Sequence, residues 1–458
     1  MIRRFLGNVF SGRLFQSARP RVIPLKTHRI ARDHVSRHAT KVCETLQQHK
    51  HAAYVVGGAV RDLLLGGIPK DYDVATDARP EEVRAIFRRS RIIGRRFRLV
   101  HVMFGNETIE VSTFRGSGEG ADSADAAGAG DHKTDEHGRI LRDNVFGSLE
   151  DDARRRDFTV NAMFYDPVRE EVLDYHGGIA DIKARRLRMI GDPAQRYRED
   201  PIRMLRAVRL AAARGLEIET HSRKPIRALA GLLLNVPKAR VFDEMMKMLL
   251  SGHAAEGVRR LRKEGLHHGV LPLLDVILEQ PLGERFVMLA LENTDSRINE
   301  GKTVSPGFLF AALLWHEVLA AWKAAEARAM HTMPALFEAM DKVLQVQAEK
   351  LAIPRRFGAD MKDIWALQAR LLNRSGRRPY LLLEHPKFRA GFDFLLLRCQ
   401  SREVDGEMGD WWEKFQHAEE PARAGMLMKE GPSAAKKRRR PRRKKPAAAA
   451  PARESGAA

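Results

Sequence analysis

Apolar and polar positions divide the chain into two unlike halves. In the first, short apolar runs end on glycine or proline. A helical stretch from about Val35 to Gln48 leads into Tyr54-Val55-Val56, which breaks on Gly57 and Gly58. Val60 to Leu65 has the length of a short helix, stopped by Gly66 and Gly67. A strand follows through Asp71 and Asp73, where residues two apart share a face. Pro80 marks the start of a helix with Glu81 and Glu82 in its first turn, which suits the dipole, although Arg79 is a poor cap. The second half of Ile92–Val102 alternates, Gly105-Asn106-Glu107 turns, and Thr108 to Phe114 returns, predicting a hairpin. On the return strand Ile109, Val111 and Thr113 share one face, and Glu110 and Ser112 the other. Tyr165 to Ile190 reads as a second hairpin turning at Gly177-Gly178. Asp200 then reads as an N-cap with Pro201 as first helical residue. Ile202, Leu205 and Val208 form the buried stripe of that helix, with Arg203 and Arg206 on another face.

From about residue 216 the apolar spacing is helical: Leu229–Leu234, Met245–Leu250, Val258–Leu266 and Leu271–Leu278. Met245, Met246 and Met248 read as packing, and Trp411 and Trp412 as core residues that close the folded part. Residues 116 to 138 are rich in Gly, Ala and Asp without periodicity, which predicts a loop. His132 and His137 within it do not make a persuasive metal site.

A chain of 458 residues is too long for one core, which predicts two to four domains. The net charge of +21 changes the picture most. Residues 433 to 458 hold ten Lys/Arg and one Glu, so the rest of the chain is basic too. That balance favours a polyanionic partner such as RNA. Nine of the ten residues from Lys436 to Lys445 are basic, which predicts a disordered tail that captures phosphates electrostatically. Lys436, Lys437, Arg438, Arg439, Arg440, Arg442 and Arg443 are its candidate RNA contacts. Two distant cysteines, Cys43 and Cys399, exclude a disulfide framework and fit a reducing cytosol. The apolar run Phe308–Trp315 is broken by His316 and Glu317, so no transmembrane helix is expected.

Chemistry concentrates between residues 56 and 73. Two aspartates on one strand face repel unless a cation sits between them. Mg²⁺ takes carboxylate and phosphate oxygens together, and a glycine turn opening a helix suits a phosphate. Gly-Gly turns and Asp-x-Asp edges are each common; their ordered combination is far less so. Glu110, between two apolar residues on a nearby strand, is either a third carboxylate or an exposed strand residue. The run Glu150-Asp151-Asp152-Ala153-Arg154-Arg155-Arg156-Asp157 has the charge of a solvated helix face. It precedes the apolar segment Phe158–Ala162, so part of it approaches the core. Arg259, Arg260, Arg262 and Lys263 lie along an RNA path or face water.

This pattern resembles the signature of the polymerase-beta-type nucleotidyltransferase superfamily. Gly57-Gly58-Ala59-Val60-Arg61-Asp62 is similar to the branch holding bacterial poly(A) polymerases and CCA-adding enzymes. The resemblance implies that Asp71 and Asp73 hold two Mg²⁺ (or Mn²⁺) ions, with Glu110 or Asp157 as third carboxylate, Asp157 otherwise working on the sugar. It implies that Gly57, Gly58, Arg61, Lys70, Arg155 and Arg156 position the triphosphate, and that Asp62 holds Arg61 or the sugar. Asp200-Pro201-Ile202-Arg203 resembles the family's Glu-Asp-x-x-Arg motif, whose Asp and Arg read the incoming base; Arg206 lies beside them. Adenine offers an N6 donor and an N1 acceptor, which suit Asp200 and Arg203. Ile93 to His101 resembles the segment that marks poly(A) polymerases within the branch. Residues 353–365 and 385–389 resemble the C-terminal domain of the bacterial poly(A) polymerases.

The implied architecture is an α+β head, with a small mixed or antiparallel sheet and helices, followed by an all-α neck and body. Its boundaries are a basic arm at 1–33, the catalytic head at 34–190 and a neck that binds base and RNA at 191–278. An arginine-rich body at 279–425 and the tail at 426–458 complete it. The arm has the composition of a transit peptide and equally of an RNA contact; the bacterial-type body favours the contact. The implied activity is template-independent transfer of AMP from ATP to RNA 3′ ends by a cytoplasmic monomer, with the RNA-decay machinery as partner and no membrane. CCA addition to tRNA is the alternative, and a silent RNA-binding protein a third reading.

Overall fold

The computed structural model describes residues 19–94, 98–116, 133–134, 140–142, 145–266, 281–351 and 353–428. The first 18 residues, Arg95-Arg96-Phe97, most of the 116–138 segment, Leu271–Leu278 and the Lys436–Lys445 run lie outside them.

An eight-stranded sheet organises the head. Its strands are β1 (Arg21–Pro24), β2 (Ala53–Val56), β3 (Asp73–Thr76), β4 (Ser90–Ile93), β5 (Leu99–Phe104), β6 (Glu107–Thr113), β9 (Met163–Asp166) and β10 (Glu171–Asp174). A separate short pair, β7 (Lys133–Thr134) and β8 (Ile140–Arg142), lies within and just beyond the segment expected to be a loop. The order is β1-β10-β9-β2-β3-β6-β5-β4, antiparallel throughout except where β3 runs parallel to β6. The central strands are covered on both faces: every residue of β9 is buried, as are Val74, Ala75 and Thr76 of β3. β6 alternates as its sequence predicts, with Ile109, Val111 and Thr113 buried and Glu110 exposed. The β5–β6 hairpin turns through Gly105-Asn106, with Phe104 opposite Glu107.

Helix ends follow local chemistry. Ser36 caps the Arg37–Gln48 helix through His38 and Ala39 N–H groups. Glu82 reaches back to the Arg79 N–H at 2.6 Å, which lets a poor capping residue start the Pro80–Ile86 helix. The Leu149–Arg155 helix is held by a Ser148–Asp151 box and packs Ala153 against Val56, Ala75, Phe114 and Phe164 under the sheet.

Four expectations are corrected. The arm is shorter than predicted: β1 pairs with β10, and Ile23 and Ile30 are buried. The second hairpin joins β9 to β10, and Gly177-Gly178 instead opens a helix, Gly178–Lys183. Asp174 causes this by accepting from the N–H groups of His176, Gly177, Gly178 and Ile179. Asp200 ends the Pro193–Glu199 helix rather than capping Ile202–Arg214; its carbonyl accepts the Arg203 N–H while its carboxylate turns to Arg240. The folded part continues past Trp412 through the Glu420–Met426 helix, on to Met428, which bridges Ser375.

Beyond the head all longer elements are helical. Ile202, Leu205 and Val208 are buried as predicted, and with the Lys238–Leu249 and Ala254–Glu264 helices they extend the head's core. In the body, Pro306–Glu326 is one unbroken helix, His316 and Glu317 included. By length and composition it is apolar enough to cross a membrane, but Leu309 to Trp315, Val318 and Trp322 are buried inside the protein. A smaller core, with Phe388, Phe392, Trp412 and Phe415, closes the C-terminal end; Trp411 is half-buried and stacks on Phe415.

Gly178 fixes the approach of its helix to the sheet, because a Cβ there would press into the Thr159 carbonyl oxygen and the Met163 side chain. Gly178→Ala is expected to cost about 2 kcal/mol, as overpacking does, seen as a lower urea midpoint than wild type.

Candidate active site

The site begins at Gly57, whose φ of +71° lies where only glycine is comfortable. The turn ends β2 and releases the Gly58–Leu64 helix. A Cβ on Gly57 would lie 3.4 Å from Arg156 Nη1, and one on Gly58 3.4 Å from Arg61 Nη2, both ordinary contact distances, so the backbone angle and not space requires glycine at 57.

Those two arginines belong to a larger set. A cleft of about 400 Å³ is lined by Gly57, Gly58, Arg61, Asp73, Arg155, Arg156, Asp157, Asn161, Asp200, Arg203, Arg206 and Arg209, with Leu210 as its apolar member. Arg61 is buried; its Nε donates to Asp62 at 2.8 Å and its Nη1 to Asn161 Oδ1 at 2.7 Å. Burial pulls its affinity for a proton down, and Asp62 partly restores it. Arg156 is pinned to Asp152 by two bonds of 2.8 and 3.0 Å, and its guanidinium carbon stands 5.1 Å from the Phe164 ring centroid. Arg155 carries the heaviest load. Burial, then the charges of Arg115, Arg196, Arg203 and Arg156, push it down to about 9.

Asp157 is buried and accepts from the Phe158 N–H at 2.8 Å and from Asn161 Nδ2 at 3.0 Å. Its Oδ2 lies 3.1 Å from Arg206, an ion pair without hydrogen-bond alignment. Burial alone would raise the carboxyl; Arg206, Asn161, the Phe158 amide and Arg203 outweigh it and bring it below its ordinary value. Arg203 donates to the Arg196 carbonyl at 2.7 Å and to Glu199 at 3.0 Å. Asp200 receives Arg240 at 2.9 Å on Oδ2, while its Oδ1 is buried without a partner.

The carboxylates expected to take metal sit at the cleft's rim. Pairing of β3 with β2 ends at Val56 opposite Asp73, so Asp71 falls before the strand and strand periodicity does not place it. Asp71 and Lys70 are exposed, and neither lines the cleft. Glu110 lies directly opposite Asp73 on β6, as its outward face predicts. Asp73 has open area, yet enough protein surrounds it that burial, Glu110 and Asp71 together push its carboxyl up to about 6, against the pull of Arg156. Among the described residues no three His, Cys, Asp or Glu side chains already stand close enough to hold an ion. The donor set still fits Mg²⁺: it is all oxygen, its like charges crowd one another, and Mg²⁺ commonly takes one or two carboxylates and completes its shell with phosphate and water.

Several members of the site were not expected. Asn161 links Arg61 to Asp157, and Arg196 donates to the Arg155 and Arg156 carbonyls at 2.6 and 2.7 Å. Arg209 pairs with Glu244, and Arg214 grips Asp62 at 2.8 and 2.9 Å. The spacing Arg203-Arg206-Arg209 was a readable sign, since residues three apart share a helix face. Asp62 is thus shared by Arg61 and Arg214. In the neck, Arg259 is committed to Glu292, and Arg260 to Glu256, Glu217 and the Leu216 carbonyl. Arg259 remains exposed beside its surface ion pair, whereas Arg260 is largely covered.

Comparison with known proteins follows the same order along the chain. Residues 53–188 match the poly A polymerase head domain, 215–278 the probable RNA and SrmB-binding site of polymerase A, and 328–445 the polymerase A arginine-rich C-terminus. Poly(A) polymerase I of Salmonella typhi is 44% identical over 422 residues, 90% of this chain and 89% of that one. The chain belongs to the poly(A) polymerase I family. A CCA-adding enzyme of Bacillus licheniformis is 35% identical over 247 residues, 54% of this chain and 58% of its own. The crystal structure of the Bacillus stearothermophilus CCA-adding enzyme in complex with CTP is similar in fold, with TM-score 0.53 and 27% identity over 82% of this chain and 80% of that one.

Crowded carboxylates cost stability when no cation is bound. Asp73 has a folded value of about 6 against an ordinary 3.8, so its ionised form is the disfavoured one. The penalty is complete above about pH 6 and fades as pH falls towards 3.8. Asp73→Asn is therefore expected to raise the melting temperature of EDTA-treated protein at pH 7.5, with the gain gone near pH 4, as scanning calorimetry would record.

Proposed function

We propose that this protein transfers AMP from ATP to RNA 3′ ends without a template and releases pyrophosphate. The observation that carries the reading is a cleft in which six arginines face the rim carboxylate Asp73. Such a cleft suits a triphosphate whose α-phosphorus must sit by the carboxylates. The 3′-oxygen of the primer loses its proton, bonds to that phosphorus, and the bond to the β-phosphate oxygen breaks. Asp73 and Glu110, with Asp71, would hold Mg²⁺ or Mn²⁺, which supplies positive charge where the transferred phosphoryl group and leaving oxygen build negative charge.

The protein's own part is positioning and fixed charge. Arg155, Arg156 and Arg61 hold the β- and γ-phosphates, and Asn161 keeps Arg61 aimed. Asp157 holds Arg206 across the cleft, a role for which its half-buried ion pair fits better than metal ligation; Glu110, beside Asp73, is the third carboxylate of this reading. Asp200 accepts from adenine N6 with its unpartnered Oδ1, and Arg203 donates to N1. The neck segment that matches an RNA-binding family carries the RNA body and contacts RNA-decay proteins. The basic residues from Lys436 to Arg443 add long-range capture. Function as a monomer in the cytoplasm, where RNA 3′ ends and ATP meet, completes the reading.

CCA addition to tRNA is the second reading, favoured by the shared head fold. Relatives named for polyadenylation align along nearly the whole chain, whereas the CCA-adding enzyme aligns over about half of it. Purified protein offered an RNA primer with ATP or CTP separates the two. Adenylate is expected to be added in long runs and cytidylate poorly; efficient CTP use on tRNA lacking its 3′ end would favour the second reading. Asp71→Ala and Asp73→Ala are each expected to reduce kcat by about a thousandfold or more, the scale of losing metal-held charge. Near-normal incorporation by either would sink its assignment.

A further inference from the structure

The sheet gives Asp73 unlike neighbours on its two sides. On one side Asp73 pairs with Val56 at the end of β2, which continues directly into Gly57, Gly58 and the arginine cleft. On the other side it pairs with Glu110 of β6. The row goes on: Glu110 is opposite His101 of β5, and His101 opposite Arg91 of β4. Directly opposed residues share a sheet face. Their neighbours Val74, Val111 and Val100 are buried on the other face, whereas Glu110 and Arg91 are exposed and His101 is half-buried. Asp73, Glu110, His101 and Arg91 therefore form an outward ladder that spans about 14 Å at ordinary strand spacing.

Displacement at phosphorus puts the attacking and leaving oxygens roughly in line. If pyrophosphate leaves towards the arginines, the attacking 3′-oxygen comes from the β6 side. The groups waiting there are suited to RNA. Arg91 is exposed on the edge strand, and its guanidinium makes no hydrogen bond or ion pair among the described residues. A cation held there with no carboxylate to meet it is free for phosphate. His101 Nε2 donates to Glu110 Oε1 at 3.1 Å and so sets the direction of the last carboxylate before the primer.

We infer that the 3′-terminal segment of the RNA primer lies across β6, β5 and β4, with Arg91 contacting a backbone phosphate and His101 acting as a positioning residue for Glu110. The inference rests on the adenylate-transfer reading, which supplies the direction of attack. It adds a primer subsite on the head to the RNA contacts proposed for the neck and tail.

Steady-state kinetics with an oligo(A) primer test it. Primer is varied at saturating ATP, then ATP at saturating primer, for Arg91→Gln, Arg91→Glu and Arg91→Lys. The expected result is a three- to tenfold rise (about that of one lost phosphate contact) in the primer KM for Arg91→Gln. The rise is larger for Arg91→Glu and nearly absent for Arg91→Lys, with the ATP KM unchanged. The salt slope of kcat/KM for primer should fall by about 0.7 in Arg91→Gln, the value for one phosphate on a single strand. His101→Ala should lower kcat with the ATP KM unchanged, and His101→Gln, which keeps a donor, should recover part of it. A primer KM unmoved in all three Arg91 variants overturns the inference, as does an effect confined to the ATP KM. If wild-type protein adds no nucleotide at all, the adenylate-transfer reading fails instead. Oligo(A) binding by fluorescence anisotropy, measured without ATP, then decides on Arg91 alone: equal affinity of wild type and Arg91→Glu overturns it.

Discussion

Mutual repulsion among arginines is the constraint around which this head is built. Six guanidiniums share one cleft, and unaided they would drive each other apart. Fixed carboxylates hold most of them at a distance from its centre: Asp152 holds Arg156, Asp62 holds Arg61, Asp157 faces Arg206, Glu199 holds Arg203, and Glu244 holds Arg209. Arg155 has its proton affinity lowered first by burial and then by the charges of Arg115, Arg196, Arg203 and Arg156. Like charges gathered in this way favour an anionic ligand among them.

The same pairs stitch the head to the neck. Arg206 and Arg214 lie on the Ile202–Arg214 helix, yet their carboxylate partners, Asp157 and Asp62, belong to the head. Arg196, one helix earlier, donates to two head carbonyls. These contacts are charge-assisted and half-buried, the geometry in which such bonds hold direction best. The neck arginines and the head carboxylates are therefore parts of one electrostatic frame, and a shift of the neck helix would be felt at Asp157.

Much of this was legible in the chain. The β5–β6 hairpin, the outward Glu110, the stripe Ile202-Leu205-Val208 and the Pro80 helix follow from local periodicity and local caps, and the structure has them where periodicity put them. Failures came where a side chain's choice of partner or the end of a neighbouring strand decided the outcome. Asp200 has every local qualification of an N-cap, but Arg240, forty positions away, takes its carboxylate. Gly177-Gly178 is a good turn sequence until Asp174 gathers four amides and converts it into a helix start. Asp71 and Asp73 have strand spacing, but the pairing partner β2 ends at Val56, so only one belongs to the strand. The roles of Asn161 and Arg214 depend on meeting side chains a hundred or more positions earlier, which no window on the sequence can display.

The parallel β3–β6 pair bears on how the protein comes into being. Neighbouring parallel strands cannot be joined by a tight turn; here a helix and an antiparallel hairpin intervene before Glu110 arrives beside Asp73. Closure of that long crossover is entropically slow compared with formation of the hairpin itself. A chain emerging from the ribosome carries the first aspartate well before its companion, and the neck arginines later still. A chain that ends before β6 therefore carries Asp73 without Glu110, and the two carboxylates come side by side only once the intervening helix and hairpin have been made.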